Sequence, residues 1–263
     1  MNATMQSCLS SLSKADYASA YLSLMNDVVE PADHGLAEQL KLLITAHYYR
    51  QRATKQGALS NLRKTGFNPV LVIDVGAQVG TPELFNTFPE AHHLLIEPVV
   101  ECLPALHELA SKLKSAEVIN AAVSDCIGTT SLSVTPSKQY SSIEQVLGEE
   151  SREIGVVTVD SLCEGRNITG PVLLKIDVDG VEVKALQGAQ STLRRDCVVV
   201  VEASIGDDLP RFNRVVDCMS GFGFDVHDVV DVMYRKSDWH MWQVDLVFVR
   251  KDSPLWGGRT FFS

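Results

Sequence analysis

What the chain lacks narrows its function before any motif is read. None of its 263 residues belongs to an uncharged apolar run that approaches about 18 positions, so nothing reads as a bilayer span. Its six cysteines, at 8, 102, 126, 163, 197 and 218, never cluster. That spacing suits neither a zinc knuckle nor a dense disulfide framework, and scattered thiols of this kind read as reduced, cytoplasmic residues packed as small hydrophobes. Positive charge is scarce: 23 Lys and Arg stand against 33 Asp and Glu, a formal charge of −10. Phosphate backbones and anionic lipids call for clustered Lys and Arg, so neither nucleic acid nor membrane is an expected partner. The start, MNATMQSCLSSLSKADY, has no basic segment followed by an apolar one, and no secretory leader is expected. The sequons at Asn2 and Asn167 then read as chance matches. Internal repeats and low-complexity tracts are missing too.

What is present suffices for a full core. Hydrophobic residues make up 45% of a chain long enough for one large domain with an extension. Two regimes follow one another. Residues 1–66 read as a helical N-terminal extension or cap, in which Leu36, Leu40, Leu43, Ile44 and Tyr48 recur at intervals of three and four. From Phe67-Asn68-Pro69 to the end, at 263, short apolar runs alternate with helical stretches. The runs are Val70–Val75, Leu94–Ile96, Val118–Val123, Val172–Ile176 and Val198–Val201, with two more at Phe224–Val230 and Gln243–Val249. Continuous apolar strands are buried on both faces, which predicts a mostly parallel, doubly wound α/β sheet. Helices are expected at 99–114, 181–194 and 207–220. The last two strands have no crossover between them and should form an antiparallel hairpin, and Thr129–Val159 should hold two short strands around a loop.

Ligands of an open parallel sheet bind in the crevice beyond the carboxyl ends of its strands. The residues just past the apolar runs are Asp74, Gly76, Glu97, Ser124, Asp125, Asp177, Asp179 and Glu202, an acidic set without Lys or Arg. The first strand closes in Asp74-Val75-Gly76-Ala77-Gln78-Val79-Gly80, whose glycines let the backbone turn tightly and approach a ligand, so Gly76, Ala77 and Gln78 are candidate contacts. Further on, at the end of the second run and before Pro98, Glu97 can accept hydrogen bonds from both hydroxyls of an adenosine ribose. The turn lacks the Gly-x-Gly-x-x-Gly spacing, and its helix opens with Thr81-Pro82-Glu83, where a Glu repels the phosphates of a dinucleotide. S-adenosylmethionine (SAM) has no phosphate and carries a sulfonium and an ammonium that acidic strand ends attract. SAM is the expected cofactor; NAD, and with it an oxidoreductase, is the alternative.

The succession of Ile73–Ala77 (IDVGA), Ile96-Glu97-Pro98, Asn120–Asp125 (NAAVSD), Val157–Leu162 (VTVDSL) and Leu174–Gly180 (LKIDVDG) resembles FkbM-type methyltransferases. Val181–Ala189 (VEVKALQGA) and Trp242–Val249 (WQVDLVFV) extend the likeness to about residues 67–250. The resemblance implies a class I, Rossmann-like methyltransferase fold and SAM as methyl donor. It also implies an enzyme that usually methylates a hydroxyl oxygen, in this case of a small molecule or saccharide. Two departures stand out: Pro82-Glu83 where an aromatic or small residue is common, and Asp179 for the more usual Glu. The N-terminal 65 residues lie outside the likeness, which places substrate choice there. A module that kept the fold and lost the reaction is a third reading.

Each candidate has a plain structural alternative. Asp74 holds the SAM amino group indirectly, or caps backbone amides in a turn. Ser124 and Asp125 meet the adenine edge, or simply form a Ser-Asp-Cys-Ile-Gly turn. Asp177 and Glu202 end adjacent strands and are the leading candidates for the base that a hydroxyl acceptor needs; their repulsion should raise one pKa. Asp179 adds a third carboxylate and allows a Mg²⁺ or Ca²⁺ site, although no metal ligands are assigned. Lys175 interrupts an apolar run, so it should be buried beside a carboxylate; a catalytic lysine is the other option. His240 is either a base that titrates near neutrality or a surface histidine. Gln243 and Asp245 line the substrate side or face solvent. Self-association into a homo-oligomer is left open.

Overall fold

Seven apolar runs interleaved with helices should stack into a sheet covered on both sides, and the computed structural model contains that sheet. It describes residues 3–14, 19–20, 23–24, 34–134, 141–142, 150–206 and 209–257. The chain divides into two compact units, Met1–Gly57 and Ala58–Ser263.

The first unit contains α1 (Ala3–Ser13) and α2 (His34–Arg52). Its core is Met5, Cys8, Ala20, Leu24, Ala37 and Ile44, with Leu12 and Leu40 packed on it. Of the apolar stripe read from the sequence, Leu40 and Ile44 join this core, whereas Leu36, Leu43 and Tyr48 stay outside it. The inward face of α2 runs through the small Ala37, then Leu40 and Ile44, one position round from Leu36 and Leu43.

In the second unit Ala58, Leu59 and Leu62 of α3 (Lys55–Lys64) contribute to the core. The sheet strands are β1 (Leu71–Val75), β2 (His92–Ile96), β3 (Ala116–Ile119), β8 (Val172–Ile176), β9 (Cys197–Ser204), β10 (Phe224–Tyr234) and β11 (Met241–Arg250). Their order is β10-β11-β9-β8-β1-β2-β3. The five strands from β9 to β3 pair parallel; β11 runs antiparallel against both β9 and β10, as the hairpin reading requires. This is the class I arrangement.

Alternation explains why the runs are apolar throughout. Ile73, Leu174 and Val199 point to one face, against Leu186, Leu193, Val215 and Met219 of the later helices. Val72, Leu173 and Val198 point to the other, against Leu59, Leu62, Leu84 and Phe88. The two faces exclude water equally. On this second face the same phase continues into polar residues at the strand ends: Asp74 after Val72, Lys175 after Leu173, and Glu202 after Val200.

Two expectations are corrected. The run Val118–Val123 is not one strand. β3 stops at Ile119, and β4 (Ala122–Val123) starts a second sheet with β5 (Gly128–Val134), β6 (Ser141–Ser142) and β7 (Glu150–Val157), in the order β4-β7-β5-β6. Asn120 makes the break: its side-chain amide donates to the carbonyls of Glu97 and Pro98, at 2.8 and 3.1 Å, and pins the chain to the end of β2. Three helices, α4 (Pro82–Thr87), α5 (Leu103–Lys112) and α6 (Val159–Cys163), precede the second break. There the expected helix 181–194 is divided into α7 (Glu182–Gln187) and α8 (Gln190–Leu193). A Cβ on Gly188 would lie 2.2 Å from the Ser124 carbonyl, so the chain can pass only without a side chain at that point. α8 restarts with Ser191 and Thr192 amides donating to the Asp160 carboxylate, both at 2.8 Å. Finally α9 (Leu209–Gly221) leads into β10.

Candidate functional site

At the carboxyl edge of the sheet, the ends of β1, β2, β4, β8 and β9 surround a cavity of about 430 Å³. Its floor depends on one glycine. Gly76 has φ +75°, and a Cβ there would lie 1.9 Å from the carbonyl oxygen of Asp177. Only glycine lets the β1 loop and the chain after β8 come this close. The Gly76 and Ala77 amides both donate to the Ile96 carbonyl at 3.0 Å. Gln78 then takes the left-handed region, φ +49°, and turns its amide onto Glu97 Oε2 at 2.8 Å. The Val99 amide donates to the other oxygen, Oε1, also at 2.8 Å. Burial pushes the Glu97 carboxyl above its ordinary value, while the Val99 and Gln78 amides pull it back. Each oxygen keeps a further lone pair.

Beside Glu97 runs a row of charges across the strands. Lys175, nearly fully buried, sets Nζ 3.0 Å from Asp74 Oδ1 and 3.1 Å from Asp177 Oδ2. Burial disfavours its ammonium, yet Asp74 and Asp177 more than offset this and hold it above its ordinary value. The expected partner of the buried lysine is therefore present twice. Glu202 stands next to Asp177, accepts from Gln243 Nε2 at 2.7 Å, and faces Asp245 across the β9–β11 pairing. Burial first, then Asp177, Asp245 and Asp179, push its carboxyl up to about 8. Deeper, Arg211 donates to Ser204 Oγ at 2.6 Å and lies 3.5 Å from the buried Glu182, joining α9 to β9 and α7.

The cavity brings together Gly76, Gln78, Glu97, Pro98, Asp177, Asp179, Glu202 and Gln243 from the candidates. It leaves others out. Asp74 lies beneath the floor, 1% exposed, as a partner of Lys175. Ala77 packs with Leu95 and Leu106. Ser124 donates to Asp125 at 3.0 Å in the turn after β4, outside the lining. His240 is exposed at the hairpin tip, where its amide donates to Asp238 and its carbonyl accepts from Arg235. The lining also uses Val99, Cys102, Leu132 and Met233, apolar residues that carry no signal in the sequence.

The donor set fits SAM. Among the described residues the lining holds no Lys, Arg or His. One half is apolar, from Val99, Cys102, Ala122 and Leu132, and suits an adenine; the other is acidic, from Asp177, Asp179 and Glu202, and suits an ammonium and a sulfonium. Glu97 also lines the cavity, and its carboxylate suits the hydroxyls of a ribose. A divalent metal does not fit: among the described residues no group of three or more His, Cys, Asp or Glu is arranged to hold one. Lys175 already occupies one side of Asp177, which corrects the metal option. Among the described residues no helix is long and apolar enough to cross a membrane.

Comparison with solved structures finds methyltransferases. Precorrin-6y C5,15-methyltransferase from Geobacter metallireducens is 15% identical, with TM-score 0.44, over 75% of this chain and 87% of that one. A SAM-dependent methyltransferase from Aquifex aeolicus is 13% identical, with TM-score 0.39, over 76% and 92%. TYW2 of M. jannaschii, solved with AdoMet, is 15% identical, with TM-score 0.35, over 75% and 77%. No curated protein matches the chain. The methyltransferase FkbM domain, however, matches residues 74–226, more than half of the sequence, and spans the glycine turn, Glu97, the Asp177 turn and Glu202. The chain belongs to the FkbM family of SAM-dependent methyltransferases.

Proposed function

We propose that this methyltransferase places its methyl group on a hydroxyl oxygen of a small-molecule or saccharide acceptor, with Asp177 and Glu202 managing the hydroxyl proton. The observation that carries this reading is the pair itself: two adjacent carboxylates on the wall of the cavity that also holds Gly76 and Glu97. When bound, SAM supplies a methyl group on a positively charged sulfur, which keeps the electrons of the bond it gives up. The protein's own task is then to hold the acceptor oxygen in line and draw off its proton. A hydroxyl needs that help, because its proton is far less acidic than any group around it. Asp177 and Glu202 are near enough to each other to share a proton, and the acidic wall favours neutral or cationic acceptors over anionic ones.

Calorimetric titration with S-adenosylhomocysteine and, separately, NADH tests the cofactor. Binding of the first alone is expected; binding of NADH alone would return the oxidoreductase alternative. Radiolabelled methyl transfer to sugars, polyols, phenols, amines and carboxylic acids then tests the acceptor. Label confined to hydroxyl compounds supports the reading. Label on amines moves it to nitrogen, and binding without any transfer leaves a non-catalytic module.

A further inference from the structure

A buried lysine is costly unless its charge has partners. Lys175 has two: Asp74 at 3.0 Å and Asp177 at 3.1 Å. The strand order β1-β8-β9 lays these groups out in sequence as Asp74, Lys175, Asp177, Glu202, all in one phase of the sheet. Within this row the cation, Lys175, pairs with Asp74 and Asp177 and not with Glu202. The surroundings sharpen this asymmetry. From β11, Asp245 faces Glu202, and Asp179 acts on it from the turn after β8. Gln243 offers Glu202 a neutral donor. The cation of α9, Arg211, is engaged with Glu182 and Ser204. From β2, His93 is kept below its ordinary pKa chiefly by burial and adds no charge at neutral pH, while Glu97 is tied by the Gln78 and Val99 amides.

We infer that Lys175 is a positioning residue of the transfer site: by pairing with Asp177 it engages that carboxylate, and so makes the neighbouring Glu202, in its ionised form, the group that takes the acceptor's proton. The acceptor O–H bond breaks toward a Glu202 carboxylate oxygen, and the electron pair stays on the acceptor oxygen to form the new bond to carbon. That last role rests on the methyltransferase reading; the ordering of charge does not. A base that titrates close to the working pH is the effective one.

Infrared titration of the full-length protein reads the proton directly, through the carbonyl band of a protonated carboxyl, without any acceptor. The wild type should lose one such band with a midpoint near 8, and Glu202→Gln should lack that transition. Lys175→Gln removes the nearer positive charge and should move the midpoint up by about one pH unit. Asp74→Asn removes a more distant negative charge and should move it down by a smaller step. Opposite movements are not expected from a merely structural lysine. If Lys175→Gln fails to fold, Asp74→Asn, which keeps the side-chain shape, carries the test alone. A midpoint unmoved in Asp74→Asn, two midpoints moving the same way, or a wild-type band already gone by about pH 6 overturns the inference. S-adenosylhomocysteine calorimetry on the same samples keeps the two readings apart. Absence of binding with ordered midpoints sinks the methyltransferase reading alone; intact binding with unmoved midpoints sinks the role of Lys175 alone.

Discussion

Glu97 organises both walls that meet at it. Its two oxygens fix the left-handed Gln78 and the turn at Val99, each by a 2.8 Å bond. Replacing it by alanine removes an acceptor for the cofactor and leaves two backbone amides without a partner. Glu97→Ala should therefore weaken S-adenosylhomocysteine binding by about 1–3 kcal/mol, as measured by calorimetry. Unchanged affinity would remove Glu97 from the site. This residue is legible in the sequence because its evidence is a spacing, an acid at the end of the strand after a glycine turn. Asp74 is harder to place. Its position at a strand end is plain, but the sequence alone does not say which side of the floor its carboxylate lies on, and Lys175 draws it below. His240 has only its side-chain type to recommend it, and that says nothing of where a hairpin tip points.

Among the elements, long apolar runs translate directly into strands, since burial on both faces leaves no other use for them. Breaks inside those runs do not show. Asn120 splits β3 from β4 through bonds to residues 22 and 23 positions away, and such distant partners leave no local pattern. The insertion between β4 and α6 is more extensive than its sequence suggests, for a similar reason. Its β5 and β7 pair along seven residues, from Gly128↔Val156 to Val134↔Glu150, and carry Leu132 over the cavity onto Val99 and Cys102, with Ile154 packed alongside. This hairpin is the roof of the apolar half of the site. Leu132→Ala should cost about 2–3 kcal/mol locally, because a small satellite cluster collapses only in part around the lost methyls. The expected readout is faster amide hydrogen exchange in β5 and β7, with weaker S-adenosylhomocysteine binding and little change in β8 or β9. Unchanged exchange in the hairpin would show that Leu132 does not hold it in place.

For the molecule as a whole, the buried acids set how stability depends on pH. Glu97, Glu182 and Glu202 are all raised chiefly by burial. A carboxyl whose native pKa exceeds its unfolded value keeps a proton that the unfolded chain has already released, so stability falls as pH rises between the two values. For Glu202 that window opens at its ordinary 4.5 and closes near 8. Below it both states are protonated and the contribution is level; above it the buried charge is borne in full. Lys175 does not offset this decline, since a lysine raised above 10.5 loses its contribution only at higher pH. The exposed carboxyls held low by surface pairing, Glu108 and Asp238, act on the acid side of the window. The formal charge of −10 adds a general repulsion in the same direction as Glu202. Salt separates the two, because it screens exposed charges far more than buried ones. The unfolding free energy, read from denaturant titrations, should fall from pH 5 to 8, and Glu202→Gln should flatten that fall by an amount on the order of 2–4 kcal/mol at the alkaline end. The difference between the two proteins should survive high salt. Parallel declines, or a difference erased by salt, would place the pH dependence in the surface charge instead of the carboxyl at the end of the row.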